Sequence, residues 1–259
     1  MSAALKSTSH GQTMVLTISN PEHRNALGPE IYAAGVEALN VAETSAEVRS
    51  VVITGEGSAF SAGGNLQRLK ANRQQPPEVQ AQSIEGLHSW IESVRAFPKP
   101  VIAAVEGAAA GAGFSLALAC DFIVAANNAV FVMAYTNIAL SPDGGATWSL
   151  SRSLPRQLVN ELLMCGGRIE PQRLHALGVV NRLAEPGQAL GDALALAEML
   201  NARAPNALAS VKELVNDAAS ASLNVQLAAE RDHFVRNLHH ANAGIGIEAF
   251  LAKEKPRYG

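Results

Sequence analysis

KPVIAAVEGAAAGAGFSLALACD, residues 99–121, decides the fold. Its first half, VIAAV (101–105), is a short apolar run with no polar residue to alternate with, the pattern of a strand covered on both faces. Lys99-Pro100 precedes it, and a small-residue turn leads from it into a helix ending near Cys120. A strand feeding a helix through small residues is one unit of an α/β fold, and the chain repeats it. VVIT (51–54) is a second buried strand, closed by Gly55 and Gly57, and SAFSAGGNL (58–66) leads from it to a helix that Asn65 can cap. MVLTIS (14–19) alternates as a strand and stops at Asn20-Pro21. Pro29 opens a helix with Ile31, Val36 and Leu39 on one face.

Farther out, Gln74 to Pro77 marks a surface break, and a long helix over about 78–97 stops at Pro98 and Pro100. IVAA (123–126) and FVM (131–133) are short strands, and Val179 to Leu183 is another. Beyond about residue 195 only helices are predicted, with a break at Arg203 to Asn206 and a long amphipathic helix over 222–242. The fold class is therefore α/β with parallel buried strands and a helical tail that packs on the core or forms an oligomer interface.

Composition excludes several functions. The 259 residues are 48% apolar and 17% charged, with net charge −3 and scattered basic side chains, so no field favours nucleic acid or an anionic membrane. Gly107 to Cys120 is uncharged but too short for a bilayer, and the N-terminus has no secretory pattern. Cys120 and Cys165 both sit in apolar context and are expected to be buried, reduced thiols in a cytoplasmic protein. No CxxC or HExxH spacing points to a metal.

Two loops carry the chemistry: SAFSAGGNL (58–66) and EGAAAGAG (106–113), each following a buried strand and entering a helix. Helix N-termini present unpaired N–H groups at the positive dipole end. Two such donors aimed at one point stabilise a developing oxyanion by about 3–4 kcal/mol each. The same small residues could instead serve close helix–strand packing. A dinucleotide fingerprint is disfavoured, because Gly111-Ala112-Gly113 is followed by Phe114 and Ser115 with no third glycine in register.

Taken in order, NPEHRNAL (20–27), VVITGEGSAFSAGGNL (51–66), residues 99–121, FVMAYTNIALSPDGGATW (131–148) and FLAK (250–253) resemble the enoyl-CoA hydratase/isomerase (crotonase) family over nearly the whole chain. The resemblance implies a spiral of ββα turns over 1–195 and a helical trimerisation region over 196–259, in trimers or pairs of trimers. It implies an acyl-coenzyme A thioester as substrate, with no further cofactor. The oxyanion donors would be the N–H groups of Gly64 and Ala112. Arg24, Ala26, Ala62, Gly63, Leu66 and Gly111 would line the coenzyme and acyl path, and Phe250 and Lys253 would reach a neighbouring subunit's coenzyme. Glu106 stands where the family usually has asparagine.

Hydratases of the family typically use two glutamates, and their positions fall at Ser115 and Tyr135 here, neither a carboxylate base. Asp143, in SPDGG, is the acid that falls in the site; it reads either as a helix N-cap or as a general base. FVMAYTNIALSPDGGATW is similar to the isomerase branch that handles phenylacetate-derived ring epoxides, where an aspartate is the base. Alternatives are hydration with Asp143 activating water, dehalogenase-like hydrolysis with His88 as base, and acyl-CoA binding without catalysis. Asp121 is expected to support structure, and His233, His239 and His240 fit no metal site.

Overall fold

A computed structural model describes residues 3–258. Its main sheet has six strands in the order β1 (Ala4–His10), β2 (Thr13–Ser19), β3 (Ser50–Gly55), β4 (Val101–Val105), β6 (Phe122–Ala126) and β9 (Arg182–Ala184). All pairs are parallel except β1–β2. β4 is buried along its whole length, as its unbroken apolar run requires. A smaller sheet joins β5 (Ala108–Ala110), β7 (Val130–Val132) and β8 (Arg168–Ile169). Lone bridges Leu27–Gly64 and Ser61–Ala109 extend this second layer. The chain thus runs strand, short strand, helix in each turn: β4, β5, α4 (Ala112–Ala119), then β6, β7, α5 (Ala146–Ser153). This is the α/β spiral of ββα turns that the resemblance implies.

α1 (Pro29–Thr44) packs on β1 and β2, α3 (Pro77–Ala96) packs on α1, and α2 (Leu66–Asn72) packs on α3. The buried face of α1 carries Ile31, Tyr32, Gly35, Leu39 and Ala42. Gly35 is required there, because a Cβ would stand 2.3 Å from the buried Trp90 indole of α3. The chain continues through α6 (Arg156–Met164), α7 (Pro171–Ala176), α8 (Ala189–Asn201), α9 (Pro205–Ala218), α10 (Leu223–Leu238) and α11 (Ala241–Ala252). The 195/196 division falls inside α8, whose Ala193, Leu196 and Ala197 are buried. No helix among the described residues is long and apolar enough to cross a membrane.

Several expectations are corrected. β1 is unread in the sequence because ALKSTSH is polar and almost wholly exposed; only Gly11, with φ +56°, marks its turn into β2. In the sequence β5 and β8 show only as turn and helix context, since three alanines and a two-residue strand carry no periodicity. The strand expected at 179–183 is Arg182–Ala184, because the Ile123 N–H donates to the Asn181 side chain at 2.8 Å in place of a main-chain carbonyl, and the ladder starts only at Val124 with Arg182. The helix expected over 222–242 is two helices, broken at His239 and His240; the His240 Nδ1 accepts from the Asn242 N–H at 3.1 Å and so caps α11. Cys165 is exposed rather than buried, because it caps the C-terminal end of α6 past the buried stripe of Leu158, Val159 and Leu162. The Cys120 thiol is enclosed, and burial pushes it up from its ordinary value.

Asp121 has the structural role expected of it. Its carboxylate accepts from the Val101 N–H at 2.8 Å and pairs with Lys212 of α9 at 2.8 Å. Burial pushes this carboxyl up, and Lys212 pulls it back only in part. Lys212 is only 11% exposed, so Asp121→Ala leaves a nearly buried cation unpaired. The expected loss of stability is about 2 kcal/mol, below the value for a fully buried pair because some water reaches this one. Urea unfolding of the variant checks it; an unchanged midpoint would contradict it.

Candidate active site

The site forms where the loops after β3 and β4 meet. Asn25, at φ +57°, ties the 20–27 turn to the first loop: its Nδ2 donates to the carbonyls of Glu56 at 2.9 Å and Ala59 at 2.7 Å. The Ser61 hydroxyl donates back to the Asn25 carbonyl at 2.8 Å and accepts from the Gly63 N–H at 3.1 Å. Ser61 and β5 then bond main chain to main chain, through Ser61 N–H to Ala108 and Ala110 N–H to Ser61, both at 2.9 Å. Gly63, at φ +84°, lets the two loops touch: a Cβ would lie 2.5 Å from the Ala110 oxygen and 3.2 Å from the Ala112 nitrogen. Gly111, at φ +50°, turns the chain into α4, of which Ala112 is the first residue.

Among the described residues, neither the Gly64 nor the Ala112 N–H donates to a protein acceptor. Both residues line one cavity of about 530 Å³, together with Asp143. Its wall is mainly apolar, with Leu27, Leu66, Leu69, Ile84, Leu87, Ile138 and Leu140. Two unpartnered amides beside one carboxylate in an apolar cavity can hold a carbonyl oxygen that gains charge while a proton moves nearby.

Asp143 is held at both ends. The Tyr135 hydroxyl donates to its Oδ1 at 2.6 Å, and the Ser115 hydroxyl donates to its main-chain carbonyl at 3.0 Å. Burial first, and then the charge of Asp143, push the Tyr135 phenol up, so it stays protonated as a donor. The same two causes push up Tyr32 of α1, which also lines the cavity.

Of the residues singled out in the sequence, Ala62, Gly64, Leu66, Gly111, Ala112, Tyr135, Asp143 and His88 line this cavity. Gly63 and Ser115 sit behind it as supports. Arg24 and Ala26 do not line it; they lie in the adjoining turn, where the Ala62 N–H donates to the Arg24 carbonyl at 2.9 Å and the Asn20 side chain donates to the Ala26 carbonyl at 3.0 Å. Phe250 and Lys253, both exposed at the end of α11, do not line it either. Leu69 and Gln80 of the cavity wall fall in the 67–82 segment that the sequence points to as shaping an acyl pocket, whereas Tyr32, Ile84 and Leu87 escape a sequence reading. For Ile84 and Leu87 the available signal is helical spacing: Gln80, Ser83, Ile84, Leu87 and His88 make one face of α3. Glu106 is explained: its carboxylate accepts from the N–H groups of Gly187 at 3.1 Å and Ala189 at 2.9 Å, capping the start of α8.

The family model described as enoyl-CoA hydratase/isomerase matches residues 8–259. The chain is 33% identical to the 1,2-epoxyphenylacetyl-CoA isomerase of Escherichia coli K12, over 95% of this chain and 94% of that protein. It is 33% identical to the carnitinyl-CoA dehydratase of Citrobacter koseri, over 99% and 98% respectively. A crystal structure of an enoyl-CoA hydratase from Polaromonas sp. JS666 superposes with a TM-score of 0.98 at 72% identity, over 99% of this chain and 100% of that one. With its α/β spiral and its match along almost the entire length, this chain belongs to the enoyl-CoA hydratase/isomerase family of acyl-CoA enzymes.

Proposed function

We propose that the protein shifts the double bond of an enoyl-CoA thioester, with Asp143 as the proton carrier and the Gly64 and Ala112 N–H groups as the oxyanion hole. One observation carries this reading: Asp143 is the sole carboxylate among the residues lining the cavity that contains both amides. Asp143 removes a proton from C2 of a 3-enoyl thioester. The C2–H electron pair moves into the chain, and the thioester oxygen takes the charge as a dienolate. The same carboxyl then returns the proton to C4, giving the 2-enoyl thioester with no gain or loss of atoms. Water is not a reactant, so one carboxyl suffices, whereas hydration by the two-glutamate route needs a second that Ser115 and Tyr135 cannot supply. A relative named as an isomerase supports the same choice.

A second reading has an observation in its favour. His88 lines the cavity with Asp143, and a histidine there could activate water for hydration or hydrolysis. Incubation of 3-hexenoyl-CoA and of crotonyl-CoA in ¹⁸O-water separates the readings. Isomerisation converts the first substrate without mass change or label; an added, labelled water on either substrate as the main product sinks the proposal.

Arg24, Ala26 and Ala62 would flank the coenzyme at the mouth of the cavity. Phe250 and Lys253, outside the cavity, would reach a coenzyme only across a subunit boundary. Leu223, Val225, Leu227, Phe234, Phe250 and Leu251 of the C-terminal helices are each more than half exposed, an apolar surface suited to other copies of the chain. Sedimentation velocity is expected to give a trimer or a pair of trimers; a monomer at micromolar concentration would refute this assembly.

A further inference from the structure

We infer that Tyr135 is a positioning residue, which holds Asp143 by one carboxylate oxygen so that only the other can carry the proton. This rests on the reading of Asp143 as the base. The hydrogen bond from the phenol to Oδ1 is 2.6 Å long, the length of a charge-assisted O–H···O⁻ bond. Tyr135 is itself fixed. Its main-chain carbonyl accepts from the Ile138 and Leu140 N–H groups, both at 3.0 Å. Its ring lies against the turn into α4, where a Cβ on Gly111 would be 3.5 Å from Cζ and 3.6 Å from the hydroxyl oxygen. The second hydroxyl, Ser115, anchors the main chain of Asp143 and sits on α4, the helix whose first N–H is the Ala112 donor.

Ser115 and Tyr135, the positions where the family resemblance implies glutamates in hydratases, are thus two hydroxyl donors converging on one aspartate, one on its main chain and one on its carboxylate. With Oδ1 committed to the phenol, Oδ2 takes the proton from C2 and gives it back at C4. A restrained carboxyl returns its own proton more often than it trades it with solvent.

Other titratable groups face the same cavity: Tyr32 from α1, Arg68 from α2, paired with Glu30 at 3.2 Å, and His88 from α3. The test therefore needs readouts that belong to Asp143. Tyr135→Phe removes one donor to a charged acceptor and is expected to lower kcat for 3-hexenoyl-CoA by about 10-fold, with KM little changed. The acid limb of its kcat/KM profile is expected at higher pH, since the donor favours the ionised carboxylate. The shift should persist when His88→Gln is added to both forms. In deuterium oxide the variant should put more solvent deuterium at C4. Installing 3,5-difluorotyrosine at position 135, a stronger donor of the same shape, should move the acid limb the opposite way and guard against a folding artefact. Unmoved limbs and unchanged deuterium content in both variants would overturn the proposal. Asp143→Asn, assayed alongside, separates the two failures: if it retains full isomerisation, Asp143 is not the base; if it is inactive while both Tyr135 variants are unmoved, only the positioning role falls.

Discussion

Asp143→Asn is expected to lower isomerisation of 3-hexenoyl-CoA by at least ~10²-fold, the low end for loss of a general base. The variant isolates chemistry from structure. Asparagine is isosteric, its side-chain oxygen can keep the Tyr135 bond, and the Ser115 bond goes to the main chain. What is lost is the basic lone pair. KM should change little, because the carboxylate acts on C4 and C2 and does not hold the coenzyme. Steady-state kinetics check this, with binding of crotonyl-CoA to the variant as proof of an intact site. Activity close to that of the unaltered protein would remove Asp143 from the chemistry.

Ala112→Pro is expected to cost about 10²–10³-fold in kcat, the usual loss for one oxyanion-hole donor. Among the standard residues only proline deletes a backbone donor, and the first position of a helix is where it fits. Ala112 is the first residue of α4, where the fixed φ of proline suits the helix and the N–H serves no helical bond. The residue before it is Gly111, which has no Cβ to collide with the ring. The pyrrolidine also fills the place of the donor hydrogen, so turnover and binding are measured separately. Free coenzyme A has no acyl carbonyl and should bind as before, while kcat falls. Equal kcat in the two forms would mean that Ala112 gives nothing to the transition state.

How much of this was legible follows from the type of signal. VIAAV and VVIT announce buried parallel strands because they must be apolar on both faces. The Asn65 cap was legible because its chemistry is local: its side chain accepts from Gln67 and Arg68 N–H at 3.0 and 3.1 Å. β5 was not legible, since Ala108–Ala110 differs in no composition from a small-residue turn; only pairing with β7 makes it a strand. At the site, the loops and Asp143 could be picked out, but Tyr32 and Leu87 look like any core residues until tertiary packing turns them into a cavity wall. Glu106 shows the limit most clearly. Its partners, Gly187 and Ala189, are eighty-odd residues away, and nothing in its own neighbourhood announces them.

The oxyanion hole can be observed without turnover. Crotonyl-CoA labelled with ¹³C at the thioester carbonyl, bound to the Asp143→Asn protein, reports its C=O stretch by difference infrared spectroscopy. Two donors on that oxygen weaken the bond and move the band well below its position in water, and Ala112→Pro should reverse much of the shift. A band that stays at its solution frequency would show that no pair of amides grips the carbonyl.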